Sequence, residues 1–124
     1  IAQTPMKYVV NTHYHGDHTG SNAYFTEIKG STIFAHDNVR KRLANKEDHT
    51  HSELPVVTYQ QGITFHFNGD TIKVMHMPAG HTDSDSVVWF EDADVLHPGD
   101  LFFEGRFPFI DLDGGGTVAG YITN

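Results

Sequence analysis

Apolar and polar residues along the chain change their period twice, and the changes divide it into elements. Tyr8-Val9-Val10 is a short β-type run, broken by Gly16 and Gly20. Ser21-Asn22 predicts the cap of a helix that runs to about Lys29 and stops at Gly30. Thr32-Ile33-Phe34-Ala35 predicts a second strand. Asp37 then caps a helix over Asn38 to Glu47, with Val39 and Leu43 at helical spacing on one side. From Val56 the period falls to two. Ile63, Phe65 and Phe67 alternate with Thr64 and His66, Asn68-Gly69-Asp70 turns the chain, and Ile72 and Val74 return on a partner strand. An Asn-Gly pair between alternating runs is the strongest short-range hairpin signal. Ala79 to Asp83 reads as loop, Ser86 to Phe90 as strand, and Asp92 as part of a tight turn before Asp94-Val95-Leu96. Asp113-Gly114-Gly115-Gly116 is a flexible break. The pattern is mixed α and β, with no repeat and no long linker.

Composition narrows the class. A chain of 124 residues holds one core, so residues 1–124 are expected to form a single domain. With 38% hydrophobic and 19% charged residues it suits a globular chain. No apolar run approaches the roughly 18 residues that span a bilayer, which argues against a membrane partner. A formal charge of −8 argues against nucleic acid, whose binding rests on clustered Lys and Arg. The single basic cluster, Arg40-Lys41-Arg42, reads as the wet face of a helix. The absence of cysteine removes disulfides, Cys-type zinc sites and thiol nucleophiles together, and says little about compartment. Ile1-Ala2-Gln3 has neither a start Met nor a signal-type run and reads as the interior of a longer gene product.

The chemistry gathers after the first apolar run. Residues 9–22, VVNTHYHGDHTGSN, place four metal-capable side chains between His13 and His18. If His13 and His15 leave a strand end in extended form, the period of two puts both rings on one side. Gly16 then lets the chain bend so that Asp17 and His18 face back. Imidazoles and a carboxylate suit zinc and, less selectively, iron or manganese.

His13-Tyr14-His15-Gly16-Asp17-His18 matches the H-x-H-x-D-H signature and resembles the metallo-β-lactamase superfamily. Gly80-His81-Thr82 and Gly99-Asp100, followed by Leu101-Phe102-Phe103, agree with it in order. The resemblance runs from about Lys7 to the end. It implies an α+β fold, the α/β/β/α sandwich, here incomplete, with about one half and part of the second. It implies that His13, His15 and His81 ligate a first metal, that Asp17 and His18 ligate a second, and that the Asp100 carboxylate bridges the two. The branch tied to drug resistance carries a cysteine at the Asp100 position, and the flavodiiron oxidoreductases carry Glu at the His15 position, so neither branch fits.

The chemistry implied is hydrolysis. Two divalent metals, zinc in one or two copies, share a water and lower its pKa to about 7, and the resulting hydroxide attacks a carbonyl or phosphoryl centre. Asp17 is the catalytic residue, orienting that water or taking its proton. The substrate is a small molecule: an ester, thioester, amide or lactam. Two alternatives keep the metal. In one, a mononuclear iron at His13, His81 and Asp100 does oxygen chemistry on a thiol derivative; in the other, the chain binds metal and turns nothing over. The family pattern has a further histidine beyond the Asp100 position, whereas the last histidine here is His97, which leaves the second site short of a ligand.

The other polar and aromatic residues take plainer expectations. His49 and His51 belong to a solvated loop, and His66 and His76 to a wet strand face. His97 lies close enough to Asp100 to support it. Asp83 and Asp85 are loop or cap residues. The phenylalanines at 102, 103, 107 and 109 are core, or the lining of a pocket. A half-fold leaves a sheet with one open apolar face, supplied by Val87 to Phe90 and these phenylalanines. Such a face predicts a homodimer or higher self-association.

Overall fold

The structure, a computed structural model, describes residues 5–124; the Ile1-Ala2-Gln3 terminus lies outside them. In chain order the elements are β1 (Tyr8–Val10), α1 (Gly16–Thr19), α2 (Asn22–Glu27), β2 (Thr32–His36), α3 (Asp37–Ala44), β3 (Val57–Tyr59), β4 (Gly62–Phe67), β5 (Asp70–His76), β6 (Ser86–Phe90), β7 (Val95–His97) and α4 (Val118–Thr123). Among the described residues no helix is long and apolar enough to cross a membrane.

The first three strands form a parallel sheet in the order β1-β2-β3, with Val10 opposite Phe34 and Phe34 opposite Val57. Parallel neighbours need crossovers, and the helical segments between the strands supply them. The last four strands form an antiparallel meander, β4-β5-β6-β7. Its first turn is the expected one: Asn68 and Gly69 take φ of 55° and 80°, the left-handed pair that matches the twist of a two-residue hairpin.

The helices differ from expectation at their ends. The second stops at Glu27, and the third runs from Asp37 to Ala44 rather than to Glu47. His36, not Asp37, caps it: the His36 ring accepts the Asn38 N–H at 3.2 Å. An imidazole nitrogen here does the work usually given to a Ser or Asp oxygen.

Burial explains the layering. Val39 and Leu43 of α3 pack with Ala35 and Leu54 on the outer side of the parallel sheet. Between the sheets lie Tyr59, Val74 and Val88, flanked by Val10, Ile63, Phe65, Ile72 and Phe90. Tyr8 makes aromatic contacts with Phe34, Phe65 and Phe67 at centroid distances of 5.6, 6.0 and 5.2 Å, and the Tyr59 hydroxyl donates to Ser86 Oγ at 3.0 Å. The second sheet therefore covers the first, which corrects the expectation of a sheet with one wholly open face. What stays open is a cleft of about 920 Å³ between them, walled by Tyr8, Val10, Phe65, Phe67, Ile72 and Phe90.

Two further expectations are corrected. Arg42 does not belong to a wet helix face: Nε and Nη2 each donate to Asp83 at 2.8 Å. Phe102, Phe107 and Phe109 are exposed rather than core. They lie on the irregular segment after Asp100, where no strand or helix buries them.

Candidate metal centre

The motif residues gather at one edge of the sandwich, on the loops that follow the strands and, for Asp17 and His18, on the short helix α1. His13 and His15 follow β1, His81 lies between β5 and β6, and Asp100 follows β7. Rigid strands thus deliver chemistry-bearing loops to one place.

The first loop is pinned by a buried amide pair. Asn11 Nδ2 donates to Asn22 Oδ1 at 3.0 Å, Asn22 Nδ2 donates back to Asn11 Oδ1 at 2.9 Å, and Asn11 Nδ2 also reaches the His18 carbonyl at 3.1 Å. Ser86 N–H donates to the Thr12 carbonyl at 2.8 Å, tying the loop to the second sheet. The His81 loop is fixed by Asp85, whose buried carboxylate accepts from the Thr82 N–H and hydroxyl. Burial pushes the Asp85 carboxyl up, and those two hydrogen bonds oppose the shift. Gly116 is a close-approach glycine: a Cβ there would be driven into the His81 carbonyl.

Two sets of three donors result: His13, His15 and His81, and His13, His18 and Asp100, in each of which the ligand atoms lie within 4.8 Å of one another. In the first, His15 Nδ1 is 3.1 Å from His13 Nε2 and 3.0 Å from His81 Nε2. The other ring nitrogens have partners. His81 Nδ1 faces the Phe109 carbonyl at 2.7 Å, His15 Nε2 the Asp111 carboxylate at 2.8 Å, and His13 Nδ1 the Thr12 hydroxyl at 3.2 Å. A carbonyl and a carboxylate only accept, so the His81 and His15 protons lie on those sides. Their remaining nitrogens are lone pairs pointed at each other. Such convergence is repulsive unless a cation lies between, and three neutral imidazoles are what a first-row divalent metal takes. His13 is held neutral: burial first, then the neighbouring His18, His81 and His15, bring its pKa down to about 2. The donor set fits a metal.

The second set is more open. Asp100 faces both groups, with Oδ1 3.2 Å from His18 Nε2 and Oδ2 3.6 Å from His81 Nε2. The Thr12 hydroxyl lies 3.3 Å from His18 Nδ1. Asp17 stands at the rim, its side chain 78% exposed and 3.5 Å from His18 Nε2, outside both sets. His97 is exposed, and its ring accepts the Gly99 N–H at 3.2 Å, bracing the turn that carries Asp100. His66 is exposed as expected. His76 is not on a wet face: it stacks on His36 at 3.7 Å and 9°.

Asp111 and Tyr14 have no counterpart in the sequence reading. The Tyr14 hydroxyl and His15 Nε2 both reach Asp111 Oδ2, and the Gly114 N–H donates to Oδ1 at 2.8 Å. Desolvation would raise the Asp111 carboxyl, but the hydrogen bonds from Tyr14, His15 and Gly114 outweigh it and hold it down at about 2. Burial and the Asp111 bond push Tyr14 up to about 12, so it stays a donor. Phe109 and Phe103 stand at 5.7 and 6.3 Å from the His81 ring and form an apolar flank.

The cluster of imidazoles and a carboxylate at the edge of this α/β/β sandwich is one that could hold a metal ion. The family model of the metallo-beta-lactamase superfamily matches residues 1–123, and the chain belongs to that superfamily. It is similar to a hydroxyacylglutathione hydrolase of Methylococcus capsulatus, 30% identical over 98 residues, covering 79% of this chain and 34% of that protein. A hydroxyacylglutathione hydrolase of Pelagibacter ubique is 28% identical over 98 residues, covering 79% and 37%. Among solved structures, a metallo-beta-lactamase from Pontibacter korlensis superposes with a TM-score of 0.78 at 21% identity, covering 96% of this chain and 53% of that one. A metallo-beta-lactamase family protein from Thermus thermophilus gives 0.74 at 20%, covering 94% and 48%. The chain spans about a third of the length of these two curated relatives and about half of these two structures.

Proposed function

We propose that this chain carries the metal centre of a zinc-dependent hydrolase acting on a small-molecule ester or thioester, with amides and lactams as the wider class. The observation that carries this reading is the convergence of the His15 and His81 lone pairs, 3.0 Å apart, with His13 beside them. The curated relatives named above are hydrolases of a glutathione derivative, which favours a thioester among the carbonyl substrates.

We assign His13, His15 and His81 as holders of the first zinc, and His18 and Asp100, with Asp17 at the rim, as holders of a second. Bound there, divalent zinc supplies Lewis acidity and a water acidic enough to attack at neutral pH. Asp17 orients the attacking water and accepts its proton. Asp100 keeps the two sets in register through its two oxygens. Phe103 and Phe109 receive the apolar part of the substrate and exclude water beside His81.

Elemental analysis of the purified chain, run with a panel of thioesters, esters, lactams and phosphoesters, tests the proposal. Zinc with thioester or ester turnover supports it. Iron with oxygen uptake on a thiol derivative replaces it with the oxygenase reading, and metal without turnover on any substrate leaves a binding remnant.

A further inference from the structure

Asp111 takes no part in either donor set, yet its carboxylate engages three donors beside them. Its Oδ2 faces both the Tyr14 hydroxyl and His15 Nε2, the latter at 2.8 Å, and its Oδ1 accepts the Gly114 N–H at 2.8 Å. Each partner is itself held. The Tyr14 ring lies under the Arg42 guanidinium, 4.8 Å from carbon to centroid. Arg42 is fixed by its two 2.8 Å bonds to Asp83. Asp83 N–H donates to the Gly114 carbonyl at 2.9 Å, and its own carbonyl accepts from Asn38 Nδ2 at 2.8 Å. The chain of contacts begins on α3, passes through Asp83 and Tyr14, and closes on the loop that carries Asp111.

We propose that Asp111 is the positioning residue of the metal centre, and that its carboxylate, braced by Tyr14 and Gly114, fixes His15 as the Nε2–H tautomer, with its Nδ1 lone pair aimed between His13 and His81. The inference rests on reading the cluster as a metal centre, but the tautomer is a property of the metal-free chain. An imidazole on a loop can rotate and can carry its proton on either nitrogen. Only one of these states offers Nδ1 to a cation, and an acceptor at Nε2 selects it. Tyr14 sets where that acceptor stands: it approaches the same oxygen as His15 and so fixes the carboxylate plane. Asp111 touches neither substrate nor metal in this role and acts through His15.

The variant that separates orientation from scaffolding is Asp111→Asn. Its amide oxygen can keep the Gly114 cap, which turns the amide NH₂ toward His15. A donor then faces a donor, and the ring moves its proton to Nδ1, where a metal would bind. Nitrogen NMR of the metal-free chain reads the tautomer directly, and zinc affinity by competition with a chelating dye reads the consequence. The expected result is an Nε2–H tautomer for His15 in the parent and a shift toward Nδ1–H in Asp111→Asn. Zinc affinity at the tight site should fall about 10- to 100-fold. Tyr14→Phe keeps the His15–Asp111 bond, so it should retain the tautomer and lose only a few-fold in affinity. A parent chain whose His15 carries its proton on Nδ1 overturns the proposal without any variant. So does an Asp111→Asn chain that keeps both tautomer and affinity. A parent with the Nε2–H tautomer that binds no zinc instead overturns the metal reading and leaves the role of Asp111 in orienting His15 standing.

Discussion

His15 Nδ1 and His81 Nε2 lie 3.0 Å apart, and each ring has committed its other nitrogen to an acceptor, Asp111 for His15 and the Phe109 carbonyl for His81. The repulsion between them is relieved when a cation takes both lone pairs, so metal binding and folding are coupled. Zinc at about a hundredfold its Kd should stabilise the chain by about 2.7 kcal/mol, a shift of several degrees in Tm for a domain of this size. Burial and the neighbouring imidazoles already hold His13 neutral well below neutral pH, so it offers its lone pair without first losing a proton. Thermal melts at neutral pH with zinc and with chelator should therefore differ by those several degrees. Equal melting temperatures under the two conditions would rule out metal binding at this cluster.

The two donor sets should not bind alike. The first is three imidazoles, two of them, His13 and His81, 1% exposed, while the second relies on His18 and Asp100, whose side chains are 25% and 27% exposed. Zinc titration of the metal-free chain should therefore show one tight step and one weak step, or the tight step alone. His81→Ala should abolish the tight step, and Asp100→Asn should weaken the second by 10-fold or more while sparing most of the first. Two steps of equal affinity would contradict the geometry.

How much of this was legible in the chain follows from sequence distance. Four of the six motif residues fall within His13 to His18, and the donors carry their chemistry in their identity, so the cluster could be read directly. The hairpin could be read because Asn68-Gly69 demands positive φ, which few pairs tolerate. Asp111 could not, since it meets His15 across 96 residues and only the folded loop brings them together. The Asn11–Asn22 pair was hidden for the same reason, and Arg42 was read as wet because the Asp83 that claims it lies 41 residues on. The exposed phenylalanines misled because apolarity alone does not say whether an element exists to bury it.

The His36 ring, stacked on His76, provides an acid-sensitive point distinct from the metal cluster. Their rings stack at 3.7 Å, and burial, followed by the nearby His76, lowers the His36 pKa. Opposing influences come from the Gln60 carbonyl, Asp37 and Asp83, while Tyr59 packs edge-on and the Asp85 carbonyl holds His76 Nδ1 at 2.8 Å. The sign follows from linkage. A histidine whose folded pKa lies below its unfolded value binds more protons when unfolded, so its contribution is lost as pH falls below about 6.5 toward the folded pKa. His36→Asn keeps a cap acceptor for the Asn38 N–H and removes the titration. Denaturant melts of the metal-free chain should show a shallower loss of stability between pH 7 and 5 in this variant than in the parent. Parallel curves would remove His36 from the account.

The cleft between the sheets sets the behaviour of the chain in isolation. Its walls include Tyr8, Phe65, Phe67, Ile72 and Phe90, and it measures about 920 Å³. Tyr8 is 43% exposed, and Met6 beside it 49%. Among the described residues β1 is also an edge strand, paired only with β2, so neither sheet claims its outer backbone groups. Open apolar walls beside an unpaired strand edge are a combination that solutions of a folded monomer tolerate poorly. In a solution holding this chain alone, the material available to cover both features is a second copy, and a two-fold pair satisfies each edge with the other. Light scattering coupled to size exclusion should therefore show mass rising from monomer toward dimer with protein concentration. An environment-sensitive apolar dye should bind most strongly at the dilute end. Phe67→Lys places a charge in the cleft wall and should shift the equilibrium toward monomer, with the zinc steps unchanged. A parent chain that runs as a monomer at every concentration, and binds no dye, would mean that the cleft closes on itself.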